Sequence, residues 1–183
     1  FIDSLSKDDT LKRLVDCDLR LIGEVDPDEF DHGGTRTFYG RLSEGDIVLY
    51  LTQDALPFSV SDVERLVSVF HDKNVGAAFG RQIPYKETSL FGKHLRKFNY
   101  NDESYIRDIN DKDLYGIKTA FLSNSFAAYR RSAMDEIGWF KDGLILGEDT
   151  YAGAKLLKKG YKLAYVADAQ VYHSHSYTVL EEF

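Results

Sequence analysis

Residues 46–57 read DIVLYLTQDALP. The run Ile47-Val48-Leu49-Tyr50-Leu51 is apolar without alternation, turns polar at Thr52-Gln53-Asp54 and stops at Pro57. An unbroken apolar run of this length suits a strand buried on both faces of a mainly parallel sheet. Ligands of such sheets sit outside the carboxyl ends of the strands, so Asp54 stands where an acid meets a ligand or a metal ion. An Asp in that place also caps the turn that follows, a duty that needs no ligand.

Strand and helix patterns alternate on either side of this run. Upstream, Phe1-Ile2 reads as the end of a strand, followed by the polar stretch DSLSKDDT at 3–10. Asp8 or Asp9 is placed to cap a short helix carrying Leu11, Leu14 and Val15, and residues 19–25 read as the next strand. Residues 30–36, FDHGGTR, read as a loop with tandem glycines that opens a helix to about Leu42. Downstream, Ser61-Asp62-Val63-Glu64 has the form of a capping box, and Val63, Leu66, Val67 and Phe70 follow at helical spacing. Residues 75–79 form a further strand pattern leading into Gly80-Arg81-Gln82-Ile83-Pro84. The order β-α-β-α-β-α-β predicts an α/β sheet.

In the second half, residues 89–98 read as a helix and the Asn- and Asp-rich 99–114 as a mobile loop. Residues 119–122 and 126–129 read as short strands around Ser123-Asn124-Ser125. A short helix over 131–137 is closed by Gly138. Another opens at Glu148-Asp149, carries Leu156 and Leu157, and ends in Lys155, Lys158, Lys159 and Gly160, the charge order a helix dipole favours. Residues 163–167 make a last strand, followed by VYHSHSY at 171–177. With no repeat, low-complexity tract or linker, residues 1–183 are expected to form one domain.

The composition excludes some partners. The chain has 23 basic against 30 acidic residues, a net charge of −7, which argues against a protein held by nucleic-acid phosphates. Cys17 is the only cysteine, so no internal disulfide forms and a reducing, cytoplasmic setting fits. No stretch has the length and apolarity of a membrane span, which leaves peripheral contact at the inner face of a membrane open. The 12 Tyr and 12 Phe supply rings for a core and for pockets that take flat or sugar-like ligands. Phe1 reads as the tail of a strand and 181–183 lack a terminator, so a piece of a longer protein is expected.

Candidate chemistry gathers at strand ends. Asp3 and Asp54 each follow a strand, Asp149 starts a helix, and His173-Ser174-His175 follows the last strand. In a parallel sheet these ends share one edge. Asp54 with a histidine is a donor set for Mg2+ or Mn2+, whose shell substrate phosphates complete. His173 and His175 share a face of an extended segment, toward one site or toward water. Asp149 suits a general base, with Glu148 to orient it or raise its pKa by like charge; it also suits a plain helix-start carboxylate. Arg36 is an anion contact or a surface charge.

Taken in order, these stretches resemble the family 2 glycosyltransferases of the GT-A fold, and within them the bacterial rhamnosyltransferase branch. Residues 3–10 resemble the family's D-x-x-S-x-D-G-T loop, with Asp9 in place of Gly. Residues 30–36 resemble its F-x-H-G-G-T-R. Thr52-Gln53-Asp54 occupies the D-x-D position with the second acid kept. Gly80-Arg81-Gln82-Ile83-Pro84, Phe98-Asn99-Tyr100, residues 117–130, Ile137-Gly138-Trp139-Phe140, Glu148-Asp149 and Val171-Tyr172-His173-Ser174-His175 continue the likeness over essentially the whole chain.

The resemblance implies a mixed, mainly parallel sheet flanked by helices and an inverting transferase that uses a nucleotide-sugar donor. Its best-fitting donor is dTDP-L-rhamnose, with a UDP-sugar the other choice. The acceptor it implies is a saccharide or lipid-linked saccharide of a surface polysaccharide. It implies that Asp3 contacts the base or ribose and that Asp8, His32, Arg36, Gln53, Asp54 and Arg81 line the nucleotide-sugar site. It also implies that Asp54 holds the divalent metal with His173, or His175, and that Asp149 is the catalytic base supported by Glu148. Two other classes share parts of the pattern: a metal-dependent nucleotidyltransferase, whose basic Gly-rich triphosphate loop is not found here, and a non-catalytic nucleotide- or carbohydrate-binding module.

Overall fold

The computed structural model describes residues 1–17 and 21–174. The chain begins with β1 (Ile2–Asp3), α1 (Thr10–Asp16) and β2 (Gly23–Glu24). Then come α2 (His32–Leu42), β3 (Ile47–Leu51), β4 (Leu56–Pro57), α3 (Val60–Ser68) and β5 (Val75–Ile83). The second half holds α4 (Leu90–Asn99), β6 (Tyr105–Arg107), α5 (Lys112–Tyr115), β7 (Phe126–Arg130), α6 (Arg131–Ile137), α7 (Glu148–Lys158) and β8 (Lys162–Tyr172). The class is α/β with a mixed sheet, as the strand–helix alternation predicts.

β1 and β2 pair in parallel as a separate ribbon. The main sheet has the order β3-β7-β5-β8-β4, with β6 also against β8. β5 and β8 are parallel, and β7 runs antiparallel between β3 and β5, so β3, β5 and β8 share one direction. Their carboxyl ends therefore meet at one edge of the sheet.

Both faces are covered. Leu66 and Phe70, from α3 and the 3-10 turn after it, pack with Ala78, Ala128, Val166 and Val171 on one face. On the other, Trp139, Phe140 and the α6–α7 residues Met134, Ile137, Ala152, Leu156 and Leu157 close over Ala77, Phe79, Ala127, Tyr129 and Tyr165. The seat of α7 is tight: a methyl on Gly153 would collide with the carbonyl of Ala120, in the 3-10 turn Gly116–Ala120. Among the described residues, no helix is long and apolar enough to cross a membrane.

Several expectations are corrected here. The run Ile47–Leu51 is a strand, but it lies at the sheet edge with Leu51 44% exposed, rather than buried on both faces. Residues 30–36 are not a loop: Asp31 accepts from Gly34 N at 2.5 Å and caps α2, so His32-Gly33-Gly34 is its first turn. Gly33 is required because a side chain there would overlap the Lys141 carbonyl. The capping box begins two residues earlier than expected, at Ser59, with Asp62 reaching back to Ser59 N at 2.6 Å.

Residues 99–114 carry β6, whose Arg107 guanidinium stacks 3.9 Å from the Tyr105 ring and 3.9 Å from the Tyr115 ring. Residues 119–122 are not a strand: Thr119 and Ala120 end a 3-10 turn, Gly116–Ala120, and Phe121 and Leu122 follow it. The last strand runs on to Tyr172 instead of ending at 167.

Candidate functional site

The edge formed by β3, β5 and β8 assembles the first half of the site. β3 runs into a turn in which Ala55 N donates to Thr52 O, placing Asp54 at its tip. β8 runs into His173, whose backbone N–H donates to Ile83 O at the end of β5. These paths leave His173 Nε2 3.2 Å from Asp54 Oδ2. Nδ1 of the same ring lies 2.8 Å from Gln82 Oε1, and Gln82 Nε2 donates to Ser123 Oγ at 2.8 Å. A carboxamide oxygen only accepts, so Nδ1 carries a hydrogen and Nε2 of a neutral ring presents its lone pair toward Asp54.

A carboxylate oxygen and an imidazole nitrogen at this spacing either share a ring proton or face a common cation. A carboxylate and an imidazole nitrogen suit Mn2+, while Mg2+ is more at home with oxygen alone. The Asp54 side chain is 43% exposed and that of His173 is 6% exposed, so the pair is open on the carboxylate side, where further oxygens can join. Gln82 supplies the outer hydrogen bond that orients a ligating histidine. Among the described residues no group of three or more His, Cys, Asp or Glu side chains is placed to hold a metal ion. The pair thus fits a metal that takes most of its ligands from substrate and water. His175 lies outside the described residues.

The second half lies at the start of α7. Gly147 precedes the helix at φ 87°, and Glu148 is buried. Glu148 Oε1 accepts from Arg36 Nη1 at 2.7 Å and from Asn124 Nδ2 at 3.0 Å. Asp149 accepts from the backbone N–H groups of Asn124, at 3.2 Å, and Thr150, at 2.6 Å. Burial, and then the neighbouring Glu148 charge, push the Asp149 carboxyl above the ordinary carboxylate range. A partly buried carboxylate with a raised pKa is suited to accept a proton from a hydroxyl.

The turn 123–125, between Leu122 and β7, touches both halves. Ser123 receives the Gln82 amide. Ser125 Oγ lies 3.5 Å from His173 Nε2, and its carbonyl accepts from Thr52 N at 3.2 Å. Asn124 holds Glu148 and Asp149, and Tyr129 Oη donates to Asn124 Oδ1 at 2.7 Å. Gln82, Asn124 and Tyr129 had no assigned role in the sequence reading. The available signal was a polar triplet wedged between two apolar runs.

The remaining candidate residues fall as follows. Asp3 is buried, and its carboxylate accepts from Ser6 N and Ser6 Oγ at 2.8 and 2.6 Å, closing the turn after β1. Asp8 is exposed and accepts from Thr10 N at the start of α1; its bonds to Thr10 hold its pKa below the usual value. Gln53 is exposed in the turn beside Asp54. His32 Nδ1 lies 3.1 Å from Arg36 Nη1, so the HGGTR segment turns toward Glu148, and the anion that Arg36 meets is that carboxylate. Arg81 follows a bulge in β5, and its Nε is buried without a hydrogen-bond partner among the described residues.

Comparison with known proteins bears directly on this arrangement. A family model described as glycosyl transferase family group 2 matches residues 47–183, the span that holds both acidic centres. The chain belongs to that family. Two glycosyltransferases from Salmonella are similar over all 183 residues: the O-antigen chain rhamnosyltransferase WbaN of Salmonella anatum at 45% identity and RfbN of Salmonella typhimurium at 43%. The chain spans 58% of the length of each. A solved structure of similar fold, the mannosyltransferase PcManGT from Pyrobaculum calidifontis with GDP-Man and Mn2+, aligns with TM-score 0.64 at 19% identity. That alignment covers 94% of this chain and 46% of the mannosyltransferase, and it shows the shared GT-A fold.

Proposed function

We propose that residues 1–183 form one catalytic domain of an inverting glycosyltransferase, moving a sugar from a nucleotide-sugar donor to a saccharide acceptor. The observation that carries this reading is the meeting of an Asp54–His173 pair and a Glu148–Asp149 pair on one sheet edge, joined by residues 123–125. The rhamnosyltransferase names of the full-span relatives support L-rhamnose, from dTDP-L-rhamnose, over a UDP-sugar. The O-antigen chain in those names supports a saccharide or lipid-linked saccharide of a surface polysaccharide as acceptor.

In this reading the acceptor hydroxyl lies against Asp149 and the donor diphosphate against Asp54. Asp149 takes the hydroxyl proton as the oxygen bonds to the anomeric carbon from the face opposite the diphosphate. The bond from that carbon to the diphosphate breaks, and the configuration inverts. Glu148, fixed by Arg36 and Asn124, stays in place beside the base. Asp54 and His173 would hold a divalent ion, a reading supported by the Mn2+ in the mannosyltransferase structure of similar fold, and that ion would supply positive charge to the departing diphosphate. Asp3, Asp8, His32, Gln53 and Arg81 are assigned to the donor side on the family likeness alone. A cytoplasmic setting agrees with the lone exposed Cys17.

The test is calorimetric titration of the full-length protein with dTDP-L-rhamnose and UDP-sugars, with and without Mn2+, followed by a transfer assay. Mn2+-dependent donor binding with sugar transfer is expected. Binding of free glycan without transfer would make the domain a binding module. Release of diphosphate from a nucleoside triphosphate and a sugar phosphate would make it a nucleotidyltransferase.

A further inference from the structure

We propose that Asn124 is a positioning residue of the acid pair: its amide locks the Glu148 carboxylate beside Asp149 and so governs when Asp149 holds its proton. The proposal rests on the transferase reading for the use that Asp149 makes of that proton.

Asn124 is 3% exposed, and its amide has one orientation. Its Nδ2 donates to Glu148 Oε1 at 3.0 Å, and its Oδ1 accepts from Tyr129 Oη at 2.7 Å. Turning the amide over would set its oxygen against a carboxylate that only accepts. The buried Tyr129 phenol is pushed well above its ordinary pKa by burial, so it remains a donor. The backbone N–H of Asn124 meets Asp149 at 3.2 Å, so one residue touches both acids.

The two carboxylates are adjacent in sequence but differ in donors. Glu148 receives a guanidinium and an amide; Asp149 receives two backbone N–H groups. The charged and titratable groups facing Asp149 are Glu148 on its own helix, Arg36 from α2, Tyr129 from β7 and Tyr100 at the end of α4. Glu148 and burial disfavour a charge on Asp149, and Arg36 favours it. Environments that separate the behaviour of two neighbouring acids are how such pairs divide their roles. Asn124 maintains the division by holding the Glu148 carboxylate in place beside Asp149.

The test is a carbon-13 carboxyl titration of the full-length protein, with the Asp149 signal assigned through Asp149→Asn. Asn124→Leu keeps the side-chain size and removes the amide donor without adding a charge. It releases the Glu148 carboxylate from its place beside Asp149, so the like-charge repulsion weakens and the Asp149 midpoint should fall by about one pH unit. Tyr129→Phe removes only the hydroxyl that fixes the amide, and the midpoint should fall by about a third as much. The acid limb of the transfer rate should move with each midpoint, while affinity for dTDP with Mn2+ stays within about twofold.

An unmoved or raised midpoint in Tyr129→Phe and in Asn124→Leu overturns the proposal, as does lost dTDP affinity with the midpoint unmoved. If Asn124→Leu does not fold, Tyr129→Phe decides alone. Lowered midpoints in a protein that transfers no sugar uphold the role of Asn124 and refute the transferase reading, so the two failures are distinct.

Discussion

Arg36 and Glu148 stand 112 positions apart in the chain, yet Arg36 Nη1 donates to Glu148 Oε1 at 2.7 Å, with side-chain exposures of 16% and 6%. Removing one partner of a buried pair strands the other charge, which costs more than the pair contributes. Arg36→Ala is expected to destabilise the protein by about 3 kcal/mol, the low end for buried pairs because Arg36 is partly exposed. Glu148→Gln added to it should recover part of that loss. A denaturant-based double-mutant cycle reads the coupling, and strictly additive effects would contradict the ion pair.

The Asp54–His173 pair predicts a graded set of metal defects. Asp54→Asn should abolish the Mn2+-dependent part of dTDP binding and leave the fold intact. His173→Ala should weaken that binding more than His71→Ala or His94→Ala. Gln82→Leu removes the acceptor for Nδ1 of His173 and should weaken metal binding about 10–100-fold. Calorimetry with and without Mn2+ measures all five; an unaffected Gln82→Leu would remove the orienting role.

Asp149→Asn should lower transfer by about 10²–10⁴ and spare donor affinity, because the base acts on the acceptor. Single-turnover rates and donor affinities on the same variant separate the two effects. A loss of donor affinity instead would put Asp149 on the metal or nucleotide side. Glu148→Gln should cost less rate than Asp149→Asn.

The raised Asp149 pKa also has a signature in stability. The folded protein holds this proton more tightly than the unfolded chain, so the unfolded state binds fewer protons between the two pKa values. The contribution of Asp149 to stability is therefore greatest at low pH. It declines as pH rises from about 4, the unfolded carboxylate value, to the raised folded value, and is constant above. The stability of wild type minus that of Asp149→Asn, measured by urea denaturation across that window, should fall with pH. A difference that rises would reverse the sign of the shift.

Gly33→Ala tests how α2 is seated. A methyl there would overlap the Lys141 carbonyl, and Gly143 N in the same loop donates to Asp31 Oδ2 at 2.9 Å. A loss of about 1–3 kcal/mol is expected, the range for overpacking, as a lowered denaturation midpoint. Gly34→Ala, near only the Asp31 side chain, should cost less.

The sequence made most of the helices readable. Gly138 closes α6 in the left-handed conformation as its position suggests, and α7 begins at Glu148 as its charge order suggests. Hydrophobic runs, however, report that a segment is apolar, not which neighbours it has. Hence Ile47–Leu51 was legible as a strand but its edge position was not, and nothing in 126–130 announces that β7 runs antiparallel. β6 was hidden because its order comes from pairing with β8 and from the Tyr105–Arg107–Tyr115 stack rather than from local propensity. In the site, Asp54, His173, Glu148 and Asp149 were marked by residue type at strand and helix ends. Asn124 and Gln82 were not, because neutral amides acquire meaning only from distant partners.

The reversed direction of β7 has a consequence for which lengths of this chain are free to vary. Because β7 starts where β3 ends, the turn 123–125 is pinned on one side by Thr52 and Gln82 and on the other by Glu148 and Asp149. One inserted residue there would slide Asn124 off the acid pair or Ser123 off Gln82. The segment 141–147 is held at one end by Asp31, and Ile145 and Leu146 are exposed. Added residues should therefore be tolerated in 141–147 and disruptive in 123–125.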